Sequence, residues 1–588
     1  MMNSFQKGIM SGRRITYHLI RVVFFVFSLV GVIVLVAEAG FPLASVVRNI
    51  PYYIYVAVMV VGILFTFLIY LTQHPLPKKK VWFVDFFLFT LYVTNLISLF
   101  ALADVELFNQ KIWLNIALLA FLVRAISTIQ VNPHKKYLNP AQLFVLSFAG
   151  IIGVGTTLLM LPNATHDGIS FIDALFTSAS AVCVTGLVVV DTGSHFTYFG
   201  QTILVLLIQA GGIGIMTFSS YFSYFFKGGA SYQNRLMLQD MNNSDKIADV
   251  FNALKRIILV TFLIEAVGSV IIYFSVNSGV IELPGKRMFF SIFHSVSAFC
   301  NAGFSTLPNS LYEIGFRTNY TLHLTIAFLF IMGGLGFPIV FNALTYFKHL
   351  VVNRLIRKRA IYKPWVIGIN TRIVLVTTAV LLVVGTGLFY FLEADNTLSE
   401  HSGFGKVVTS FFGAATPRTA GFNTVDTSAL HFSTIMIIMV LMWIGASPGS
   451  TGGGVKTSTF ALAILNFISI ARGKDRVEAF RREISPMSTR RAFAVVSLSI
   501  MVIGLSILLL SYSDGNKGLL PIAFESFSAF STVGLSLGIT SQLSAAGKMI
   551  IIVTMFIGRV SMLTILVAFM RKMVNLKYKY PLEEIIIN

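Results

Sequence analysis

The sequence predicts an all-α polytopic membrane protein with about four N-terminal transmembrane helices followed by four pseudo-symmetric membrane–loop–membrane repeats. Hydrophobic residues make up 56% of the 588 residues and charged residues only 12%, and the mean hydropathy is +0.80. Soluble domains carry about 25% charged residues. The second observation is a short glycine-centred segment that recurs four times along the chain.

The four copies of this segment set the period of the repeats. They read Ser180-Ala-Val-Cys-Val-Thr-Gly186, Ser297-Ala-Phe-Cys-Asn-Ala-Gly303, Ala415-Thr-Pro-Arg-Thr-Ala-Gly421 and Ser528-Ala-Phe-Ser-Thr-Val-Gly534. Their glycines lie 117, 118 and 113 residues apart. Because a fixed long period indicates one structural unit used repeatedly, each copy is expected to occupy the same place in its repeat.

The N-terminal part contains four apolar runs, at 15–39, 51–73, 82–103 and 111–130. Each is long enough to cross about 30 Å of hydrocarbon. Four crossings return the chain to its starting side near residue 138. The sequence leaves open whether these helices cover the lipid face of the repeats or add to a dimer contact. The first run is not followed by a clear small-residue cleavage site, so a cleaved signal peptide is not expected.

Each repeat then follows the same order. A first apolar span (141–162, 256–276, 372–392 and 492–511) precedes a shorter stretch that ends in the glycine segment. A second apolar run (198–226, 319–347, 432–470 and 546–570) closes the repeat. The middle stretches are too short to cross, so we expect half-length helices that enter the membrane and turn back.

The distribution of basic residues predicts the orientation. The loops 227–256, 348–372, 472–491 and 571–588 hold 23 Lys or Arg, whereas 162–197, 278–319, 394–432 and 512–548 hold 7. Since positive charge collects on the cytoplasmic side, both ends of every repeat and both termini are expected there. The predicted divisions are the N-terminal extension 1–138, the repeats 139–230, 250–350, 370–475 and 488–575, and the tail 576–588.

Non-helical backbone at membrane depth persists only where it is buried in protein or lines a watery path. A central glycine permits φ > 0 and allows carbonyl groups to face inward. Four such segments around one axis can replace the hydration shell of a monovalent cation with carbonyl oxygens, so the sequence indicates an ion pore. The alternative is that the glycines only permit close helix packing.

The four segments resemble the selectivity filters of the Trk/Ktr/HKT potassium transporters, over about residues 140–575. The resemblance implies four membrane–pore–membrane units in one chain, and glycine at the first filter position, here Gly186, implies a preference for K⁺. The filter residues it implies, and K⁺ as the only bound metal, are placed at Val184, Thr185, Gly186, Asn301, Ala302, Gly303, Thr419, Ala420, Gly421, Thr532, Val533 and Gly534.

A small-residue cluster follows each filter glycine, and in the third repeat it grows into residues 445–456. Pro448 and five glycines in twelve residues prevent a straight helix there. The resemblance implies that this intramembrane loop is a gate; a passive helix break is the alternative. Arg559 lies in mid-span, where a charge is functional by default. The resemblance implies that it faces the pore and repels a second cation; satisfaction by loop carbonyls is the alternative, and both roles could hold together. The implied gate residues are Gly445, Ser447, Pro448, Gly449, Gly452, Gly453, Gly454, Lys456 and Arg559.

Two departures from the family pattern are visible. The family usually continues Gly-Arg-Val with Gly-Pro, whereas this chain has Ser561-Met562, which concerns the bend of the last helix. Family members also carry none or about two extra N-terminal spans rather than four. Glu265, in a first span, is expected to have a packing or interhelical hydrogen-bond role rather than one in ion coupling. Cys183 and Cys300 are expected to be small packing residues rather than a redox pair.

The resemblance implies potassium uptake across a bacterial plasma (inner) membrane, by a homodimer bound to cytoplasmic nucleotide-binding regulatory subunits. The chain itself is expected to hold no cofactor, and any nucleotide would sit on the partner. A sodium-selective or sodium-coupled transporter of the same fold is the alternative. A membrane enzyme is not expected, because the spans contain no cluster of ionisable groups and no nucleotide or metal motif. The net charge of +20 lies in loops, which argues against nucleic-acid binding.

Overall fold

A computed structural model describes residues 2–42, 50–72, 79–99, 111–128, 140–214, 250–276, 279–281, 283–351 and 368–560. Within these ranges the chain is helical apart from connecting segments and one two-stranded hairpin. Residues 227–249, 352–367 and 571–588 of the predicted inner loops and tail lie outside the described residues, as do residues 215–226 and 561–570 of the predicted second apolar runs.

The N-terminal extension forms a bundle of four helices with its own core. Its helices are α1 (Met2–Gly40), α2 (Ile50–Thr72), α3 (Lys79–Leu99) and α4 (Lys111–Thr128). Phe24, Tyr92 and Phe121 are nearly inaccessible at the centre of this core. An ion pair between Arg124 and Asp85, with 2.6 Å between Nε and Oδ1, also lies inside the bundle. The bundle meets the first repeat where Asn163 donates to the carbonyl of Ala39.

The first two repeats follow the predicted order of first span, short helix and second span. We call these the outer helix, the pore helix and the inner helix. Repeat 1 contains α5 (Pro140–Leu159), α6 (Phe171–Val182) and α7 (Tyr198–Ile213). Repeat 2 contains α8 (Val250–Ser275), α9 (Pro284–Phe299), α10 (Tyr320–Leu335) and α11 (Phe337–Val351). Side chains at the N-caps start several of these helices; Ser170, for example, accepts the N–H of Asp173.

The last two repeats have the same order. Repeat 3 contains α12 (Ile369–Glu393), α13 (Phe404–Ala415), α14 (Phe432–Trp443) and α15 (Thr457–Ala471). Repeat 4 contains α16 (Pro486–Asp514), α17 (Leu519–Ser531) and α18 (Ala545–Val560). Between them, β1 (Glu478–Ala479) and β2 (Arg482–Glu483) pair antiparallel. Both hairpin turn residues, Phe480 and Arg481, have positive φ, as a type I′ turn requires.

The repeats pack as a closed ring. Each inner helix contacts the pore helix of the next repeat: α7 contacts α9, α10 contacts α13, α14 contacts α17, and α18 returns to α6. One apolar core joins repeats 1 and 4, a second joins repeats 2 and 3, and a third joins repeats 3 and 4. The four pore helices, α6, α9, α13 and α17, therefore surround one central axis.

The second apolar runs of repeats 1 and 2 are interrupted, which the sequence analysis did not predict, whereas the break in repeat 3 was predicted. α7 ends at Ile213, before Gly214 with φ 77°, and α10 ends at Leu335, before Gly336 with φ 83°. Beyond Gly336 the chain bends by 103° into α11. In repeat 3 the residues from Ile444 to Lys456 separate α14 from α15. Glycine permits these breaks because it adopts positive φ without a Cβ clash.

Among the described residues, five helices are long and apolar enough to cross a membrane, or six if the bent pair α10–α11 counts as one. They expose large apolar side chains such as Phe274 and Phe391, whose exposed fractions are 79% and 81%. Such continuous apolar surfaces on long helices are satisfied by lipid. The chain is a multi-pass membrane protein.

Candidate functional site

The four predicted glycine segments come together at the centre of the ring of pore helices. We define them as 184–186, 301–303, 419–421 and 532–534. Each follows a pore helix directly and is almost completely buried. Their glycines have φ of 87° at Gly186, 70° at Gly303, 79° at Gly421 and 93° at Gly534. The structure therefore brings all twelve predicted residues into one site.

The residue two positions before each glycine also has positive φ. The values are 55° at Val184, 61° at Asn301, 74° at Thr419 and 49° at Thr532. Three of these four residues are β-branched, for which this conformation is a genuine outlier. Each such residue costs on the order of 1–3 kcal/mol, so it persists only when the surrounding structure imposes it. The same strain at the same position of four repeats marks a functional backbone.

Each glycine faces the backbone of another segment in the ring. A Cβ added to each glycine would lie less than 3.0 Å from a carbonyl oxygen of another segment. The pairs of glycine and carbonyl are Gly186 with Ala302, Gly303 with Ala420, Gly421 with Val533, and Gly534 with Thr185. These approaches close the circle from the first segment to the fourth. Backbone carbonyls and glycines therefore make up the narrow centre of the site, and no side chain fits between them.

A hydroxyl group behind each segment fixes its backbone. Ser180 and Ser528 accept the N–H groups of Gly186 and Gly534, each at 3.1 Å. In the other two repeats the hydroxyl donates to the carbonyl that follows the glycine: Ser297 to Phe304 at 2.7 Å, and Thr416 to Phe422 at 2.6 Å. We did not predict these roles, although a Ser or Thr five or six residues ahead of each glycine was a visible signal.

The 445–456 loop lies directly beneath the glycine segments. Thr451 donates to the side-chain oxygen of Asn301 at 2.9 Å, and the N–H of Gly453 donates to the Thr532 hydroxyl at 3.0 Å. Added Cβ atoms at Gly452 and Gly453 would meet the hydroxyl oxygens of Thr419 and Thr532. The loop is thus packed against three of the four segments from the side of the helix breaks.

The loop is also joined to the bent inner helix of repeat 2. The N–H of Ser447 donates to the carbonyl of Gly334 at 2.9 Å, and the N–H of Phe337 donates to the carbonyl of Gly449 at 3.3 Å. An added Cβ at Gly336 would approach the Pro448 carbonyl to 2.6 Å. The interruption in repeat 3 therefore fills the space opened by the break in repeat 2.

Two basic side chains hold loop carbonyls. Arg559 donates to the carbonyls of Thr451 and Gly211, and so joins the loop to the inner helices of repeats 4 and 1. Lys456 donates to the carbonyl of Gly452. The contact of Arg559 with a loop carbonyl is therefore present in the structure, and its effect on cations stays a prediction. All nine predicted gate residues lie in or against this loop.

The small residues of the inner helices allow these helices to approach the pore helices closely. An added Cβ at Gly211, Gly333 or Gly558 would lie against a carbonyl oxygen at the end of a pore helix, those of Val182, Phe299 and Phe530 respectively. Each of these carbonyls belongs to the residue four positions before a filter glycine. Glycine at these positions therefore allows the inner helices to lie against the ends of the pore helices.

The other buried polar residues of the repeats have structural partners. Glu265 accepts from Gln209 of the neighbouring inner helix at 3.1 Å, as expected for an interhelical hydrogen bond. Cys183 and Cys300 are both buried and free, and Cys300 contacts Gln209 and Glu265. Asp173, at the start of α6, pairs with Lys548 of α18 at 2.5 Å. The described residues contain no group of three metal-ligating side chains.

Comparison with known proteins matches this architecture to a family. A family model described as TrkH, cation transport protein, matches residues 107–578. The match begins just before α4, so α1, α2 and α3 lie outside it. The part of the chain from residue 140 onward, on which the resemblance rested, lies inside the match up to residue 575.

Curated relatives cover most of this chain and nearly all of their own length. The Ktr system potassium uptake protein B of Bacillus subtilis (strain 168) is 38% identical over 77% of this chain and 98% of its own. The Vibrio alginolyticus protein of the same name is 35% identical over 76% and 94%. The potassium/sodium uptake protein NtpJ of Enterococcus hirae is 35% identical over 78% and 100%.

A solved structure shares the fold. The crystal structure of the potassium transporter TrkH from Vibrio parahaemolyticus matches with a TM-score of 0.59, over 83% of this chain and 97% of that chain. The two sequences are 18% identical, so this likeness concerns the fold alone.

Proposed function

The chain belongs to the TrkH family of cation transport proteins, and from that premise we propose that it takes up K⁺ across a membrane through a filter formed by its four glycine segments. The observation that carries the proposal is the closed ring in which each filter glycine abuts a carbonyl of another segment. Carbonyl dipoles replace the water of a weakly hydrated monovalent ion. Mg²⁺, which gives up its water reluctantly, is a poor fit for uncharged ligands.

The family assignment also makes the protein a transporter rather than an enzyme. In the proposed mechanism K⁺ enters from the outer side and passes Gly186 and its three counterparts. The ion then moves down the membrane potential, which is worth about 2.3 kcal/mol per charge per 100 mV. The surrounding structure holds Val184, Asn301, Thr419 and Thr532 at positive φ despite the strain, and this backbone geometry is the one proposed to coordinate the ion.

A sodium-selective or sodium-coupled transporter of the same fold is the second candidate. The observation that favours it is that NtpJ, 35% identical to this chain, is named a potassium/sodium uptake protein. Glycine at all four filter positions favours K⁺. Competition between K⁺ and Na⁺ for uptake separates the two candidates.

We also propose that the 445–456 loop is the gate. Its position supports this role, because it lies beneath the filter and its N–H and hydroxyl groups are bonded to filter side chains. Five glycines give it the freedom to leave this position. Arg559, which donates to the Thr451 carbonyl, stabilises the closed arrangement.

The membrane location and the subunit assembly that we propose are those that the family membership implies. The protein acts in the plasma membrane of a bacterium, with both termini in the cytoplasm, as a homodimer controlled by cytoplasmic nucleotide-binding subunits. The basic loops 348–372 and 472–491 are the proposed docking segments for these subunits; residues 352–367 of the first lie outside the described residues, and the second carries the β1–β2 hairpin. No cofactor is assigned to this chain, because nucleotide would bind the partner.

The test is uptake of K⁺ or radioactive rubidium into liposomes that contain the purified full-length protein, with Na⁺ and Li⁺ as competitors. Wild type should prefer K⁺, and deletion of 446–453 should raise the basal rate at unchanged ion preference. Absence of uptake by both proteins would contradict the transport proposal. Uptake by wild type that the deletion leaves unchanged would contradict the gate alone.

A further inference from the structure

The residues two positions before the filter glycines form a ring at the base of the filter. Three of the four, Asn301, Thr419 and Thr532, carry polar side chains, and Val184 is apolar. All four are inaccessible to solvent. These residues are the part of the filter that contacts the 445–456 loop.

The polar members are bonded to the loop and to one another. Asn301 accepts from the Thr451 hydroxyl at 2.9 Å and donates to the Thr419 hydroxyl at 3.3 Å. Thr532 accepts the N–H of Gly453 at 3.0 Å. These contacts join residues about 150 and 79 positions apart in sequence. The two bonds to Thr451 and Gly453 exist only while the loop lies against the filter.

The same bonds satisfy groups that would otherwise be unpaired at membrane depth. The loop has no regular backbone pairing of its own apart from one bridge between Ile444 and Val455. Buried N–H and hydroxyl groups need partners. Removal of the loop would leave Asn301 and Thr532 facing the vacated space, where water or an ion must replace Thr451 and Gly453.

We propose that Asn301 and Thr532 are positioning residues that latch the gate loop to the filter. Loop opening then breaks the bonds at the filter base, and a disturbed filter base releases the loop. By linkage this coupling acts equally in both directions. The inference rests on the proposed gate, and it assigns to filter side chains a role separate from the ion coordination by their carbonyls.

Other contacts that do not involve the latch also hold the loop in place. Arg559 and Lys456 hold the carbonyls of Thr451 and Gly452. A substitution at the Thr451 side chain leaves those carbonyls in place. Thr451→Val therefore removes the hydrogen bond to Asn301, and the longer 3.5 Å contact with the Phe299 carbonyl, while keeping the shape of residue 451 and the filter sequence.

The experiment compares four full-length proteins in liposomes: wild type, Thr451→Val, Thr451→Ser and Thr156→Val. Thr156, in α5, is as buried as Thr451, with 2% exposure each, and bonds only within its own helix at the Ile152 carbonyl. It is the matched control for replacing a buried hydroxyl by a methyl group. Thr451→Ser keeps the hydroxyl and should restore wild-type behaviour.

Two readouts are needed. The first is basal K⁺ uptake, which should rise roughly 2- to 10-fold in Thr451→Val, the factor that corresponds to one ordinary hydrogen bond. The second is the rate at which a thiol reagent labels Ser450→Cys in each background, since the natural cysteines 183 and 300 are buried. Labelling should accelerate by a similar factor in Thr451→Val and stay unchanged in the Thr156→Val control. A merely local change in the filter would not move this rate.

A double variant tests the pairing directly. If Asn301 and Thr451 act through their mutual bond, Asn301→Ala in the Thr451→Val background should add no further acceleration of labelling. Wild-type labelling and uptake in Thr451→Val, alongside raised uptake after deletion of 446–453, would overturn the latch and leave the gate standing. Unchanged uptake after the deletion would instead contradict the gate itself, and the labelling rates would still decide the latch.

Discussion

Gly186→Ala is the most direct test of the filter, because the cost of its backbone conformation and the cost of its steric clash can be separated. Gly186 has φ 87°, and an added Cβ would press on the Ala302 carbonyl of the next segment. Positive φ costs a residue with a Cβ about 1–2 kcal/mol. Displacing closely packed backbone costs typically about 1–3 kcal/mol more. The second cost falls on the Ala302 carbonyl, which belongs to the proposed K⁺ filter.

Gly168→Ala is the matched control, because it carries only the first cost. Gly168 has φ 79°, close to that of Gly186, and an added Cβ there meets nothing within 4 Å. It precedes the pore helix of the same repeat. The difference between the two variants therefore isolates the disturbance of the filter. A difference of about 1–3 kcal/mol corresponds to roughly a 5- to 150-fold change in an equilibrium constant.

The assay is the concentration dependence of K⁺ uptake in liposomes, with Na⁺ as competitor. We expect the ratio of K⁺ to Na⁺ preference to fall by roughly 5- to 150-fold in Gly186→Ala relative to Gly168→Ala. Thermal unfolding of each purified variant establishes that it is folded. Equal ion preference in the two variants would refute the reasoning, because the clash with Ala302 would then have no consequence for the ion.

Two further predictions concern regions outside the filter. Asp85→Asn removes the carboxylate that pairs with Arg124 inside the N-terminal bundle. Because breaking a buried ion pair costs about 3–5 kcal/mol, the variant bundle should unfold at a lower denaturant concentration than the wild-type bundle. The double substitution Asp85→Leu with Arg124→Met should recover most of the lost stability. Burial, helped by Arg317 and opposed by Glu400, lowers the pKa of His401. The unfolded chain, with a histidine pKa near 6.5, then binds more protons than the folded one, so the unfolding temperature should fall as the pH drops below about 6.5. His401→Gln should flatten this dependence, and equal slopes for wild type and variant would contradict the assignment.

The contacts around the filter also explain why its strained residues are tolerated. Ser180 and Ser528 accept the N–H groups of two filter glycines, and Ser297 and Thr416 bind the carbonyls that follow the other two. Each of these hydroxyls lies at or next to the end of a pore helix that is itself packed in the ring. The helices thus supply the constraint that holds residues such as Val184 at positive φ.

Composition and periodicity were enough to determine the class of fold, the order of helices and the location of the site. The reason is that lipid imposes simple rules, since a span needs about twenty apolar residues and irregular backbone must be enclosed. The glycines at 186, 303, 421 and 534 could be found because no other residue type adopts that backbone without strain. Their period along the chain then placed each one after a pore helix.

Only the tertiary structure decided which groups meet. The closure of the ring from Gly534 to Thr185, the bend at Gly336 and the bond from Thr451 to Asn301 join residues of different repeats. No local pattern encodes such contacts, because they depend on how four similar units pack around an axis. The second apolar runs of repeats 1 and 2 appeared continuous for the same reason. The 445–456 loop of repeat 3 stabilises the helix break at Gly336 of repeat 2. The hydropathy of one segment cannot reveal such a contact with another repeat.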